Sequence, residues 1–296
     1  MKNRRVAVTG GTGFLGSYLL PALVEEGYEP LVLSTKERPF SFPLKKTDYG
    51  VESLAKCLEG CSAVIHLAAK RGGQPRIEEY HSGEILTQNV LEAAGRVGAE
   101  HVLLASSISV YSDQDLLPWR EDQAARPVNM YGISKLAAEY IGHWSSEKYG
   151  LYVKSLRLAH LFGAMEKNNY MINLFMRKAY LKKKLTVKES AGKREFLYAK
   201  EAASAFIRLL DQDFSGSLNI GSGQALSNLE VAEAINEVFG NAGNLELTGW
   251  DEGIRSSYFS SERAKKMFGY QSRYSFSQAL EEIKQVMGNA DVQEFY

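Results

Sequence analysis

The chain has 296 residues, 45% of them hydrophobic and 24% charged, with 35 Lys plus Arg balanced by 35 Asp plus Glu. That is ordinary globular composition, sized for one large domain or two modest ones. Its zero formal net charge argues against a nucleic-acid or membrane-surface partner.

The N-terminal MKNRRVAVTG lacks the apolar run of a signal peptide, and no apolar stretch reaches the length of a membrane span. A soluble cytoplasmic protein is therefore expected. RRVAVTG (4–10) is a short β-branched run ending in Gly, a buried-strand signal. FLGSYLLPALVEEG (14–27) has apolar residues at helical spacing and a terminal Gly, with Pro21 expected to bend or weaken the helix. EPLVLS (29–34) predicts a strand, VESLAKCLEG (51–60) a helix and SAVIHLAA (62–69) a strand. Residues 78–98 predict a helix, HVLLASS (101–107) a strand, 130–150 a helix, and LYVKSLRLAHLFG (151–163) starts as a strand. Cys57 and Cys61 read as reduced thiols near a helix end, too few for a disulfide framework or a four-Cys zinc site. The five His lack ligand spacing, so no metal is expected.

Strands that are continuous apolar runs, alternating with helices, predict a doubly wound parallel sheet covered on both faces. After residue 160 the rhythm breaks, with helices near 168–182, 199–211, 227–240 and 275–287 and a short strand at 217–221. The division expected is a dinucleotide-binding domain over 1–160 and a smaller lobe over 161–296, with 195–221 returning to the sheet. The basic run Lys182–Lys184 reads as a solvated helix end.

TGGTGFLG (9–16) joins the first strand to the first helix. Gly10, Gly13 and Gly16 suit a tight turn, a close backbone approach to a pyrophosphate and close helix–strand packing, and the helix N-terminus offers free N–H groups to phosphates. At the end of the second strand Ser34 stands where an acid would hold the ribose hydroxyls of NAD, followed by Lys36 and Arg38. A hydroxyl with nearby cations suits a 2′-phosphate, which tilts the cofactor toward NADP over NAD.

YGISK (131–135) puts Tyr131 and Lys135 on one helical face. With 16 Tyr in the chain, about one such pair is expected by chance, and Tyr180 with Lys184 is a second. Only the first follows a strand ending in Ser106, Ser107 and Ser109, where a doubly wound sheet binds ligands. A nearby Lys and a nicotinamide cation would lower the phenol pKa and let Tyr131 move a hydroxyl proton while a hydride is transferred.

These stretches resemble the extended short-chain dehydrogenase/reductases of the NAD-dependent epimerase/dehydratase family, which act on nucleotide sugars. The likeness covers nearly the whole chain and includes AVIHLAA, RLAHLFG (157–163), GKREFLYAKEAA (192–203) and LNIGSG (218–223). It implies a Rossmann-like sheet with a mostly helical C-terminal substrate lobe, NADP or NAD as cofactor, a nucleotide-sugar substrate and a homodimer. Gly10, Thr12, Gly13, Phe14, Leu15, Gly16, Ser34, Lys36, Arg38, Asp48, Leu67, Ala68, Ala69 and Leu158 would line the cofactor, Asp48 near the adenine. Ser107 would orient the substrate, Tyr131 act as acid/base and Lys135 as its partner. Ser109, His160, Asn169, Arg194 and Arg255 would face the substrate, the two Arg suiting a diphosphate. His160 stands where the family usually has Asn, which changes the pocket.

The family's 4,6-dehydratases carry Asp-Glu where this chain has Ile108 and Ser109, which disfavours elimination. The expected activity is epimerisation at a sugar C4 through a 4-keto intermediate. The alternatives are an NADPH-dependent 4-keto-sugar reductase, favoured by Ser34, Lys36 and Arg38, and a non-catalytic dinucleotide sensor. A sensor would not need the Ser107, Tyr131 and Lys135 set.

Overall fold

The computed structural model describes residues 4–164 and 166–289; the last residues of the expected C-terminal lobe, 290–296, lie outside them. The first half alternates as its apolar runs require: β1 (Arg5–Thr9), α1 (Phe14–Glu25), β2 (Glu29–Ser34), β3 (Leu44–Lys46), α2 (Val51–Leu58), β4 (Ala63–His66), α3 (Glu78–Val97), β5 (His101–Ser107), α4 (Met130–Tyr149) and β6 (Tyr152–Leu158). The second half holds β7 (His160–Phe162), α5 (Met171–Tyr180), β8 (Leu185–Glu189), β9 (Lys193–Tyr198), α6 (Ala199–Leu209), β10 (Gly216–Ile220), β11 (Ala225–Ser227), α7 (Asn228–Val238), β12 (Leu245–Trp250), α8 (Glu262–Phe268) and α9 (Phe276–Asn289).

Seven strands form one sheet in the order β10-β6-β5-β4-β1-β2-β3, all paired in parallel. Successive side chains of a strand face opposite sides. Val6 and Val8 therefore enter the core under α1 and α6, with Leu19, Leu20, Leu23, Phe206 and Leu209. Ala7 joins the core under α2 and α3, with Leu54, Leu58, Val90 and Leu91. The strand order reverses at β1 and β4, so their C-terminal ends open the crevice where such sheets bind ligands.

The expected strand over 151–163 divides at Ala159. β6 stays in the main sheet, while β7 leaves it to pair with β9 in a small sheet of order β11-β9-β7. Of the segment 195–221, only β10 rejoins the main sheet edge, beside β6. A third core lies in this half, where Ile172, Phe175 and Met176 of α5 meet Val231 and Ile235 of α7 and Leu280 and Ile283 of α9. α1 continues through Pro21, which sits on its exposed side. Cys57 and Cys61 are free and buried, and burial raises both thiol pKa values. Among the described residues no helix is long and apolar enough to cross a membrane, and no cluster of His, Cys, Asp or Glu has the makings of a metal site.

Candidate active site

The glycine loop closes tightly on the end of β4. Gly10 has φ +70, and a Cβ there would lie 2.6 Å from the Ala68 nitrogen. A Cβ on Gly16 would lie 2.1 Å from the Gly11 carbonyl oxygen. Both positions therefore exclude any side chain. The Gly13 N–H donates to Gly10 O at 3.0 Å and the Ser17 N–H to Gly13 O at 3.1 Å. α1 thus begins at Phe14, with Gly13 as its cap and no side-chain hydrogen bond to that cap. The first-turn N–H groups of Phe14, Leu15 and Gly16 have no intrahelical partner, and Thr12 and Gly13 are accessible beside them. A glycine-rich turn that ends at a helix N-terminus with no side-chain cap fits a dinucleotide's diphosphate.

A buried relay escaped the sequence reading. His66 Nδ1 lies 2.6 Å from Thr9 Oγ1, and its Nε2 lies 3.2 Å from Thr87 Oγ1. Thr87 donates to Gly83 O at 2.9 Å, which assigns the imidazole proton to Nε2. Burial, with the Lys135 charge second, pushes the His66 pKa down to about 3, so the ring is neutral. Thr9 also accepts from the Ala68 N–H at 3.4 Å. The relay therefore fixes the segment Leu67, Ala68 and Ala69 against the glycine loop. The His within AVIHLAA, directly at a strand's C-terminal end, was the available signal.

At the other end of the crevice, Ser34 Oγ accepts from the Lys36 N–H at 3.1 Å. The Thr47 N–H donates to Ser34 O at 2.9 Å, which brings Asp48 beside the end of β2. Asp48 is exposed and accepts from the Gly50 N–H at 2.8 Å. Lys36 and Arg38 are exposed, and the Arg38 guanidinium stands 5.8 Å from the Phe40 ring centroid. Leu158 differs from expectation: 5% exposed and level with Ser107 across β5 and β6, its side chain belongs to the central core.

The Gly of YGISK explains how Tyr131 reaches Ser107. A Cβ on Gly132 would lie 2.1 Å from the Ser109 carbonyl oxygen, so the start of α4 docks directly on the end of β5. Asn129 caps this helix, its Oδ1 accepting from the Gly132 N–H at 2.8 Å. Ser109 is thereby drawn into the turn, its N–H donating to Ser107 Oγ at 3.1 Å. Ser107 faces the Tyr131 phenol closely enough to lower its pKa. Lys135 Nζ lies 5.6 Å from the Tyr131 ring centroid and donates to Ala105 O at 2.6 Å. Ile108, where a dehydratase acid would stand, is 2% exposed in the core.

Burial raises the Tyr131 pKa, and the opposing influences are the Ser107 hydrogen bond and then the Arg71 charge, not Lys135. Burial pushes Lys135 itself down to about 8, with Glu139 opposing. Behind Lys135, Glu139 accepts from Arg157 Nη2 at 2.7 Å and Nε at 3.0 Å, from Ser217 Oγ at 2.8 Å and from Ser106 Oγ. Arg157 Nη1 donates to the Tyr111 hydroxyl at 2.5 Å, which donates to Asn219 Oδ1 at 3.0 Å. This satisfied network locks β5, β6, β10 and α4 together, and sequence spacing gave no hint of it.

On the second-half side, His160 Nε2 lies 3.1 Å from Ser257 Oγ. Burial and the Arg194 charge push the His160 pKa down to about 4. Arg194, on β9, bridges to the backbone of Ser257, so the structure brings His160 and Arg194 together. Burial lowers the Arg194 pKa, with Asp251 opposing, and its guanidinium has no hydrogen bond or ion pair to a described residue. Arg255 is exposed on the same loop as Ser257. Asn169 is exposed as well, and its Oδ1 accepts from Arg177 Nη2 at 2.7 Å, leaving its amide nitrogen for a ligand. The following Tyr170 approaches the β4–α3 loop: a Cβ on Gly72 would lie 3.4 Å from the Tyr131 ring and 3.7 Å from the Tyr170 hydroxyl. Gly72, Arg71 and Glu166 were not singled out in the sequence, because nothing local marks a loop that folds back over a distant helix.

A glycine loop at the point where strand order reverses, with Ser, Tyr and Lys converging at the next strand ends, defines a fold and site of the extended short-chain dehydrogenase/reductase type. The chain belongs to the NAD-dependent epimerase/dehydratase family, whose family model matches residues 6–221. It is similar to a solved UDP-N-acetylglucosamine 4-epimerase from Bacillus cereus, with 46% identity, 97% of each chain covered and a TM-score of 0.92. It is similar also to MoeE5, solved in complex with UDP-glucose and NAD, with 27% identity, 96% of this chain and 99% of that chain covered, and a TM-score of 0.84. A UDP-glucose 4-epimerase of Halalkalibacterium halodurans is 25% identical over 91% of both sequences.

Proposed function

We propose that the protein is a nucleotide-sugar 4-epimerase that uses NAD. The observation that carries this reading is the meeting of Ser107, Tyr131 and Lys135 at the C-terminal edge of β5, across the crevice from the glycine loop. Bound NAD would supply a hydride acceptor that later returns the hydride. Tyr131 takes the proton of the sugar C4 hydroxyl and gives it back after the ring has turned, while Ser107 orients that oxygen. Lys135, anchored on Ala105 O, holds the cofactor ribose and carries a proton beside the phenol. The first-turn N–H groups of Phe14, Leu15 and Gly16 bind the cofactor diphosphate. Residues 161–289 serve as the substrate lobe, in which Arg194, Arg255 and the Asn169 amide bind the substrate diphosphate and His160 borders the sugar. Support for the substrate class comes from the UDP-sugar 4-epimerases among the similar proteins.

The assembly we propose is a homodimer through α4 and α3. Ile133, Tyr140 and Trp144 are exposed at helical spacing on α4, and Ile85 is exposed on the neighbouring α3. Light scattering of Tyr140→Asp against the parent protein tests this, a monomer being expected for the variant.

The activity test is incubation with NAD and UDP-N-acetylglucosamine or UDP-glucose. The C4 epimer should form with no net change in reduced cofactor. Stoichiometric loss of NADPH with a 4-keto sugar would instead establish the reductase, the reading that Lys36 and Arg38 favour. Comparing NADH and NADPH affinities in the parent protein and in a Lys36→Ala, Arg38→Ala double variant separates the cofactors. The NAD reading expects no loss of NADH affinity in the variant.

A further inference from the structure

We infer that Arg177 is a positioning residue for the substrate diphosphate, buried on α5 where it fixes which end of the exposed Asn169 amide is offered to the ligand. The inference rests on the UDP-sugar reading above, in which Asn169 meets that diphosphate. Asn169, Asn173 and Arg177 follow one another at intervals of four, and Asn173 and Arg177 share one face of α5. Helical side chains lean toward the N-terminus, so both reach back to the segment ahead of the helix. Asn173, 2% exposed, donates through Nδ2 to Asn168 Oδ1 at 2.8 Å. The same oxygen accepts from the Tyr170 N–H at 2.9 Å, so the Asn168 side chain is committed to the turn. Arg177, 7% exposed, reaches further. Its Nη2 donates to Asn168 O at 3.0 Å and to Asn169 Oδ1 at 2.7 Å, and its Nη1 to Glu166 O at 3.5 Å.

A guanidinium has donors and no acceptor. The Asn169 amide must therefore turn its oxygen inward to Arg177, which leaves its nitrogen, with two N–H donors, for the exposed side. A diphosphate at neutral pH accepts hydrogen bonds and has few or none to donate. It is bound by an amide that presents nitrogen, whereas the flipped amide would set oxygen against oxygen. Arg177 also brings a charge. Among the described residues it pairs with no carboxylate, and Glu166, the acid nearest in the chain, is engaged by Arg71 at 2.6 Å and by the Asn168 N–H at 3.1 Å. A buried cation met only by carbonyl and amide oxygens still attracts an anion, and burial limits its screening by salt. The side chain that touches the substrate is thus exposed, and the one that orients it is buried on the following helix.

The test is titration calorimetry of UDP with the parent protein, Arg177→Gln, Arg177→Lys, Asn169→Ala, Asn169→Asp and the Arg177→Gln, Asn169→Ala double variant. Loss of one hydrogen bond to a charged group should weaken UDP binding to Asn169→Ala by about tenfold or more. Gln both donates and accepts, so Arg177→Gln frees the amide to flip and should lose about as much. Lys donates only, as Arg does, so Arg177→Lys should recover most of the affinity. A mere brace for the segment would be served as well by Gln as by Lys. In the Asn169→Ala background Arg177→Gln should cost much less than in the parent, the remainder being its charge. Asn169→Asp, at an exposed position that carries the test even if Arg177→Gln does not fold, presents oxygen at both ends and should bind UDP more weakly than Asn169→Ala. NADH affinity should stay at the parent value throughout. Equal UDP affinities of Arg177→Gln and Arg177→Lys, equal losses in the two backgrounds, or an Asn169→Asp that binds as well as Asn169→Ala overturn the inference and leave the function intact. A parent protein that binds NADH but no UDP overturns the UDP-sugar reading, and this inference with it.

Discussion

Two stretches of this chain place a Lys four residues after a Tyr, and they have nothing else in common. Tyr131 and Lys135 lie on one continuous helix, and Lys135 is 9% exposed. Tyr180 is the last residue of α5. Lys182 then turns the chain with a φ of 56, and Lys184 reaches Glu246 at 3.3 Å with both side chains about half exposed. A sequence interval becomes a geometric one only if a single helix spans it. It becomes chemistry only where burial changes what the charges do.

The sharpest way to break the comparison is Tyr131→Phe. Removal of a general acid/base typically costs about 10²–10⁴-fold in rate. kcat should fall by that order, with NADH affinity and melting temperature near the parent values. The next is Gly132→Ala, which attacks the docking of α4 rather than its chemistry. The added methyl would meet Ser109 O at 2.1 Å, so the helix must retreat from β5. Overpacking of this kind costs about 1–3 kcal/mol. Thermal melting should show that loss, and kcat should drop because Tyr131 leaves Ser107. A normal melting temperature would mean that the end of β5 yields easily.

The first half of the fold was legible because its strands are buried on both faces and read as unbroken apolar runs. β2 at 29–34 and β5 at 101–107 fall where the pattern puts them. The second half was less so. β8 and β12 alternate buried with exposed residues or are exposed nearly throughout, and β3 and β11 have three residues each, too short for a period to show. The break at Ala159 is invisible in an apolar run, because the run does not say which sheet its end will join. The site divides in the same way. The glycine loop, Ser107, Tyr131 and Lys135 are local motifs. The His66 relay, the Glu139–Arg157 network and the Arg71–Glu166 pair are made by residues far apart in the chain, and each member alone looks like an ordinary polar residue.

A second pair of lysines extends the contrast, since Lys135 and Lys154 are both buried but at different places on the sheet. Lys154, on β6, lies 3.1 Å from His101 Nδ1 and donates to Leu210 O at 3.2 Å. Burial pushes its pKa down from 10.5 to about 7, with Asp211 and Asp213 opposing. The unfolded chain therefore holds this proton up to about 10.5 while the folded chain releases it near 7. Between those values the unfolded state binds more protons, so stability rises with pH. Lys154→Met should remove that slope. Urea midpoints measured between neutral and alkaline pH should climb for the parent protein and flatten for the variant, with kcat at neutral pH unchanged. Equal slopes would mean that Lys154 is charged in the folded state throughout.

The smallest effects belong to the second Tyr-x-x-x-Lys. Tyr180→Phe removes a hydroxyl at the end of α5, away from Ser107 and the glycine loop, where Tyr180 is partly buried at the edge of the second-half core. Lys184→Ala removes an exposed ion pair with Glu246, and such pairs contribute about 0–1 kcal/mol. Lys182 differs from its neighbours, because its ammonium donates to Phe239 O at 2.5 Å and Gly240 O at 3.0 Å and so caps α7. The basic run is thus solvated at Lys183 and Lys184 but structural at Lys182. Tyr180→Phe and Lys184→Ala should leave kcat, KM and the pH profile at parent values, and salt should erase what little stability Lys184→Ala loses. Lys182→Ala should cost more stability than either, again without touching the pH profile. If Tyr180→Phe lowered kcat as far as Tyr131→Phe does, position on the sheet edge would not be what makes YGISK an acid/base pair.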